Sequence, residues 1–345
     1  LNRILSQVAR RNRSQGISYE FPPGSERLRI QLAQRALKAG CSLTPDQIMI
    51  TSGCQEGVML ALRAVCRPGD TVAIESPIFY NLLQIIETLD LKALEIPTNP
   101  RNGISLSALR YALEHNPVHA CLVIPNFNNP LGSCMPDDNK RELVRLLADH
   151  DIPLIENDVY GDLCFSNERP CAAQSFDTRG LVIHCSSFSK TLAPGYRVGW
   201  VIPGRFMERI ERLKAVSNIA TATLPQLAIA EFLVTGGYDQ YLRKIRAIYS
   251  RQMSLMAQAV QKSFPDGTRV SSPAGGFVLW VEMPETVDSI KLYELALRAG
   301  ITIAPGRIFS AAGKYSNCLR LNAAFWSRRI ADAVGEIGEL AKGLV

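Results

Sequence analysis

The sequence contains no pair of cysteines in a C-x-x-C spacing, only four histidines, and no apolar run near the ~18 residues of a membrane-spanning helix. Paired-cysteine metal binding is therefore excluded. The histidines at 115, 119, 150 and 184 show no metal spacing, and no acid pairs them into a triad, so no metal is expected. Internal repeats and low-complexity segments are missing as well. The opening residues, Leu1-Asn2-Arg3-Ile4-Leu5, do not form a signal peptide, and no Met precedes them. Charge of one sign is also scarce: the net value is +6 over 345 residues, which permits an anionic partner without demanding one. The basic run Arg10, Arg11, Arg13 is too short to argue nucleic-acid binding and reads as a solvated helix face.

What is present is an apolar content of 47%, enough for a substantial core and too high for bulk disorder. The nine cysteines are odd in number, scattered, and often set in apolar runs such as Cys121-Leu122-Val123-Ile124. They read as buried thiols of a reducing cytosol. Short β-branched runs at 48–51, 71–75, 121–124, 152–156, 181–185 and 198–202 alternate with helical patterns at 55–65 and 81–89. Fully apolar strands separated by helices predict an α/β fold with a mostly parallel sheet covered on both faces. Around Gly236-Gly237 the pattern changes to one long amphipathic helix over 238–264. Strands near 275–281, 301–304 and 318–322 and a helix over 289–299 then predict a smaller α+β domain.

Five features, each weak alone, fall at the carboxyl ends of successive predicted strands. Thr51-Ser52-Gly53-Cys54-Gln55 is a strand–Gly–helix junction of the kind that binds phosphate through backbone N–H groups, or a plain tight turn. Phe79, after Glu75-Ser76-Pro77, could stack on a planar ring or pack in the core. Asn129, in Asn126-Phe127-Asn128-Asn129-Pro130-Leu131-Gly132, marks a turn and offers an amide to a ring oxygen. Asp158, in Glu156-Asn157-Asp158-Val159-Tyr160, is a helix cap or the partner of a pyridine nitrogen. Lys190, in Ser187-Phe188-Ser189-Lys190, is a surface lysine or a desolvated amine for Schiff-base chemistry, with Ser187, Ser189 and Arg197 suited to a phosphate beside it. Together they supply what pyridoxal 5′-phosphate requires, and open α/β sheets bind ligands at such strand ends.

On these motifs the chain resembles the class I/II aminotransferases, the aspartate-aminotransferase-like fold (fold type I) of pyridoxal-phosphate enzymes. The resemblance implies a large domain with a mostly parallel seven-stranded sheet over 25–236, a small α+β domain over 237–345, and an N-terminal arm, 1–24, packed on the small domain. It implies Lys190 as the lysine that carries the cofactor, Asp158 at the pyridine nitrogen, and Tyr160 and Asn129 at the phenolic oxygen. Gly53, Cys54, Gln55, Ser187, Ser189 and Arg197 would surround the phosphate, and Phe79 would stack on the ring. Arg320, in Leu319-Arg320-Leu321-Asn322, would clamp a substrate carboxylate with Asn129, and Tyr19 would reach the phosphate of a partner subunit, implying an obligate dimer with shared sites. More narrowly, the wording around Asn157-Asp158-Val159-Tyr160-Gly161-Asp162 and Ser186–Arg197 resembles the aminotransferase-like half of MocR-type regulators of the GntR family. Those carry a winged-helix DNA-binding domain, and the start without Met is consistent with its removal. The expected role is an effector-sensing domain for an amino acid or amine, with a free-standing aminotransferase and a non-catalytic dimerisation scaffold as alternatives. Two departures stand out. A glycine-containing segment that relatives place before this region is not found, which allows cofactor binding with poor catalysis. The family's N-P-T-G also reads Asn129-Pro130-Leu131-Gly132 here.

Overall fold

The computed structural model describes residues 1–345, apart from the side chain of residue 13. The first half runs α1 (Asn2–Arg11), α2 (Arg13–Gly16), α3 (Glu26–Ala36), β1 (Met49–Thr51), α4 (Cys54–Val65), β2 (Thr71–Ser76), α5 (Tyr80–Thr88), β3 (Lys92–Asn99), β4 (Gly103–Ile104), α6 (Leu106–His115), β5 (Val118–Val123), α7 (Asp137–Asp149) and β6 (Leu154–Asn157). It continues with β7 (Val182–Ser187), β8 (Gly199–Ile202), α8 (Met207–Asn218), α9 (Thr223–Val234), α10 (Gly237–Ser263), β9 (Arg269–Val270), β10 (Val278–Glu282), α11 (Ser289–Arg298), β11 (Ala304–Pro305), β12 (Cys318–Asn322) and α12 (Arg328–Lys342).

β1 to β8 form one sheet in the order β1-β8-β7-β6-β5-β2-β3-β4. The pairs from β3 through β2, β5 and β6 to β7 are parallel, and β8 and the two-residue β4 run against them. Seven strands were expected from the resemblance, and the eighth is that short β4 edge. The strand β3 is missing from the sequence pattern because Lys92, Glu95 and Pro97 interrupt its apolar run, and most of it stays partly exposed. Successive side chains of a strand point to opposite faces. Odd residues Ile155 and Ile183 pack with Val58 and Ile74 under α4, whereas even residues Leu154 and Val182 pack with Leu143 and Leu147 under α7. Both faces are thus covered, as the apolar strands required.

A second, four-stranded antiparallel sheet, β11-β12-β10-β9, carries its own core of Leu279, Val281, Leu319 and Leu321 against Met253, Met256 and Ile337. The strand expected at 301–304 shrinks to β11. The 27-residue α10 passes between the two sheets' sequences. The N-terminal arm, expected on the small domain, packs along α9 of the large one. The cause is α9 itself, Thr223-Leu224-Pro225-Gln226-Leu227-Ala228-Ile229-Ala230-Glu231-Phe232-Leu233-Val234, which is apolar nearly all round and offers α1 a surface for Val8. Arg10 and Arg11 lie exposed as expected, and the side chain of residue 13 falls outside the described residues. All nine cysteines are free, Cys134 and Cys171 half-buried and the rest buried. Among the described residues no helix is long and apolar enough to cross a membrane.

Candidate active site

The carboxyl ends of β1, β2, β5, β6 and β7 face one edge of the large sheet, and there a cavity of about 220 Å³ opens. Cys54, Gln55, Phe79, Asn129, Tyr160, Ser187, Ser189, Lys190 and Arg197 all line it, together with Asn81, Leu82, Ile124, Asn157 and Val159, which the sequence reading did not single out.

At one end the chain turns from β1 into α4. Gly53 is the N-cap, at φ 87°, a conformation that residues with a Cβ rarely adopt. A Cβ there would also lie 2.5 Å from Arg197 Nη2. The guanidinium is therefore seated directly on this glycine, donating to the Ser52 carbonyl at 3.1 Å and to Ser189 Oγ at 3.4 Å. Arginine, two serine hydroxyls and a helix N-terminus are the groups that bind phosphate best. Gly53→Ala should lower stability by about 1–3 kcal/mol, since both the backbone and the arginine must move. It should also weaken binding of inorganic phosphate several-fold; a urea melt and a phosphate titration measure the two effects.

At the other end Asn129 Nδ2 donates to Tyr160 Oη at 3.4 Å, while Arg320 Nη1 donates to Asn129 Oδ1 at 3.2 Å. Burial pushes the Tyr160 phenol up to about 12, against the opposing pull of Arg320 and Asn129, so it stays a hydrogen-bond donor at neutral pH. Arg320 links this cavity to a wider cleft of about 610 Å³, which it lines with Tyr80, Tyr293 and Ile308. Its Nε is buried without a hydrogen-bond partner among the described residues. Such an orphan donor is costly unless a ligand atom meets it. Between the two ends sits Lys190. Burial, then the charges of Arg320 and Arg197, hold its ammonium below the ordinary lysine range and favour the free amine.

Two residues singled out in the sequence lie outside this cavity, Tyr19 as expected of a residue that would reach a partner's site. Tyr19 is exposed (69%) on the N-terminal segment, beside Phe21, and does not line the cavity of its own chain. Asp158 is the correction. Its carboxylate points to the opposite face of the sheet, where Asn126 Nδ2 donates to Oδ1 at 3.1 Å and Arg169 pairs with Oδ2. Arg169 Nε also holds Asp162 Oδ1 at 2.8 Å, and Arg35 ties Asp162 to Asp239 of α10. Burial works against the charged form of Asp162, yet Arg169 and Arg35 hold its carboxyl well below the usual range. Glu156 and His184 pair at 3.0 Å on that same face. Asp158 thus belongs to a buried ionic network behind the cavity, and Asn157 is the residue that faces Lys190's side.

The arginine–serine end, the amide–phenol pair and the lysine fit pyridoxal 5′-phosphate, while Asp158 lies outside the cavity lining and Asn157 within it. The model of the family "Aminotransferase class I and II" matches residues 4–336. An uncharacterized HTH-type transcriptional regulator of Escherichia coli strain K12, YjiR, is 43% identical over 338 residues, covering 98% of this chain and 72% of that protein. Among solved structures, a Pyrococcus horikoshii kynurenine aminotransferase, in complex with PMP, superposes with a TM-score of 0.92 at 28% identity, over 99% of this chain and 86% of that one. LysN of Thermus thermophilus, an α-aminoadipate aminotransferase complexed with N-(5′-phosphopyridoxyl)-L-leucine, gives 0.92 at 26%, over 99% and 88%. The strand-end cavity, the mostly parallel sheet and the family match agree, and the chain belongs to the class I and II aminotransferase family, with pyridoxal 5′-phosphate as its cofactor.

Proposed function

We propose that this chain is the cofactor-binding, effector-sensing and dimerising part of a MocR-type regulator of the GntR family, working in the cytoplasm on an amino acid or amine. The observation that carries the chemical half of this reading is the single cavity in which Lys190, the Asn129–Tyr160 pair and the Arg197–Ser189 pair converge, with Arg320 at its side. The regulatory half is supported by the 43% identity to a protein named as a transcriptional regulator. When bound, pyridoxal phosphate supplies an aldehyde that condenses reversibly with amines and a ring that draws electron density from the Cα bonds. The chain's own residues do the rest. Lys190, whose ammonium form burial and the charges of Arg320 and Arg197 disfavour, offers the amine; Arg197, Ser187, Ser189 and the start of α4 would hold the phosphate, and Asn129 with Tyr160 would hold the phenolic oxygen. Arg320 receives the carboxylate of an amino acid. The exposed Ile17, Tyr19 and Phe21 fit a homodimer whose arms reach the neighbouring cavity.

The test is an absorbance screen of amino acids and amines against the cofactor-loaded protein, followed by addition of 2-oxo acids. A band that shifts with one amine class, without amino-group transfer to any oxo acid, is the expected result. Rapid transfer would make the chain a working aminotransferase, and absence of cofactor binding in a titration calorimeter would leave only a scaffold.

A further inference from the structure

The residue that meets the cofactor across from Lys190 follows from the register of β6. Asn157 ends that strand on the α4 face, in line with Ile155, while Glu156 and Asp158 belong to the opposite face. Asn157 Oδ1 accepts from the Cys54 thiol at 3.5 Å. Burial pushes that thiol's pKa up, so it remains protonated and a donor. With Oδ1 engaged, Nδ2 is the free donor of a side chain that lines the cavity, and it makes no hydrogen bond among the described residues. Asp158 is not free to exchange places with it. Its side chain is fully buried and held by Asn126 and Arg169, and even a Cβ on Gly161 would lie 2.5 Å from its Oδ1.

This inference rests on the reading that the cavity holds pyridoxal phosphate. Three of the cofactor's functional positions are then met by Lys190, by Asn129 with Tyr160, and by the Arg197 end. The ring nitrogen lies opposite the aldehyde carbon, and the buried polar side chain left for it is Asn157, since Asn81 sits partly exposed at the start of α5. We propose that Asn157 donates its Nδ2–H to the lone pair of the pyridine nitrogen, so that the ring stays unprotonated and the site captures amines well but removes their Cα proton slowly. Capture and proton removal respond differently to this change. In capture, the C–N link to the incoming amine forms as the link to Lys190 breaks, with one proton passing between the two amines and no change of oxidation state. Removing the Cα proton leaves an electron pair that only a cationic ring accepts readily. A carboxylate would stabilise that cation, whereas a neutral amide does not.

The experiment loads the full chain with [15N]pyridoxal phosphate and reads the pyridine nitrogen by NMR, alongside the absorbance band and the exchange of the amino-acid Cα proton in deuterated water. The wild-type resonance should be that of an unprotonated pyridine, in a protein that is yellow and responds to amines. Asn157→Asp should move the resonance to the protonated form and speed Cα exchange on the order of 100-fold, the lower end of what a positioned proton-transfer group contributes. Asn157→Ala should keep the nitrogen unprotonated but alter its shift and weaken cofactor binding. Asp158→Asn should leave the resonance in place. A protonated nitrogen in the wild type, an unchanged resonance in both Asn157 variants, or a resonance moved by Asp158→Asn would overturn the proposal while leaving the cofactor reading intact. A wild-type chain that takes up no cofactor overturns both.

Discussion

Lys190→Ala should give a folded protein that never turns yellow, whatever the concentration of pyridoxal phosphate. The side chain is the one amine that lines the cavity, and no other nucleophile there can replace it. Loss of the covalent link should lower retention of the cofactor by about 100-fold, equivalent to about 3 kcal/mol, measured by dialysis or calorimetry. The electrostatics separate this loss from unfolding. Burial and the positive charges of Arg320 and Arg197 disfavour the Lys190 cation, so its folded pKa lies below the unfolded one. Below that folded pKa the cation is held at a cost to the native state, and Lys190→Ala removes the cost. The variant should therefore melt at the same or a higher temperature at pH 7 while being colourless. The same depression sets the pH profile of the wild type: covalent loading should rise with pH and level off below 10.5, because the free amine attacks. A melting temperature well below that of the wild type, or a retained band in the variant, would count against Lys190 as the linking group.

The placements of Asp158 behind the cavity and of Arg320 at the cleft have one physical explanation. In β12 the run Leu319-Arg320-Leu321 lies in an antiparallel sheet with one face on a core, so alternation alone turns Leu319 and Leu321 inward and Arg320 to the cleft. In β6 both faces are buried, and Leu154-Ile155-Glu156-Asn157 carries no alternation to show which residue faces which helix layer. The sequence showed that polar chemistry follows this strand but not on which side, and a step of one residue exchanges Asn157 for Asp158. The signal that decides it is the shared face of Ile155 and α4, visible only once the sheet is assembled. Arg169 and Asn126, which hold Asp158, lie in connecting segments 11 and 32 residues away and carry no local sign of that task. Lys190, Asn129 and the Gly53 turn were legible because each is a short, strand-end motif whose position depends on local geometry.

Arg320 offers the second large effect. Its guanidinium spends one N–H on Asn129 and keeps Nε buried without a partner, a donor fork waiting for a planar anion. Hydrogen bonds to charged groups contribute about 1.5–3 kcal/mol each, so losing even one of them in Arg320→Ala should weaken amino-acid binding by roughly 10- to 160-fold. Arg320→Lys should recover little of it, because an ammonium cannot offer two parallel N–H groups. Decarboxylated amines make no such pair, and for them the substitution should be neutral or favourable. Removing the Arg320 charge also relieves its repulsion of Lys190, so the pH midpoint of covalent loading should rise toward 10.5. Titrating matched pairs, each an amino acid and its decarboxylated amine, isolates the carboxylate contribution from any change in cavity shape. Equal losses for both members of a pair would mean that Arg320 maintains the Asn129–Tyr160 arrangement instead of receiving the ligand.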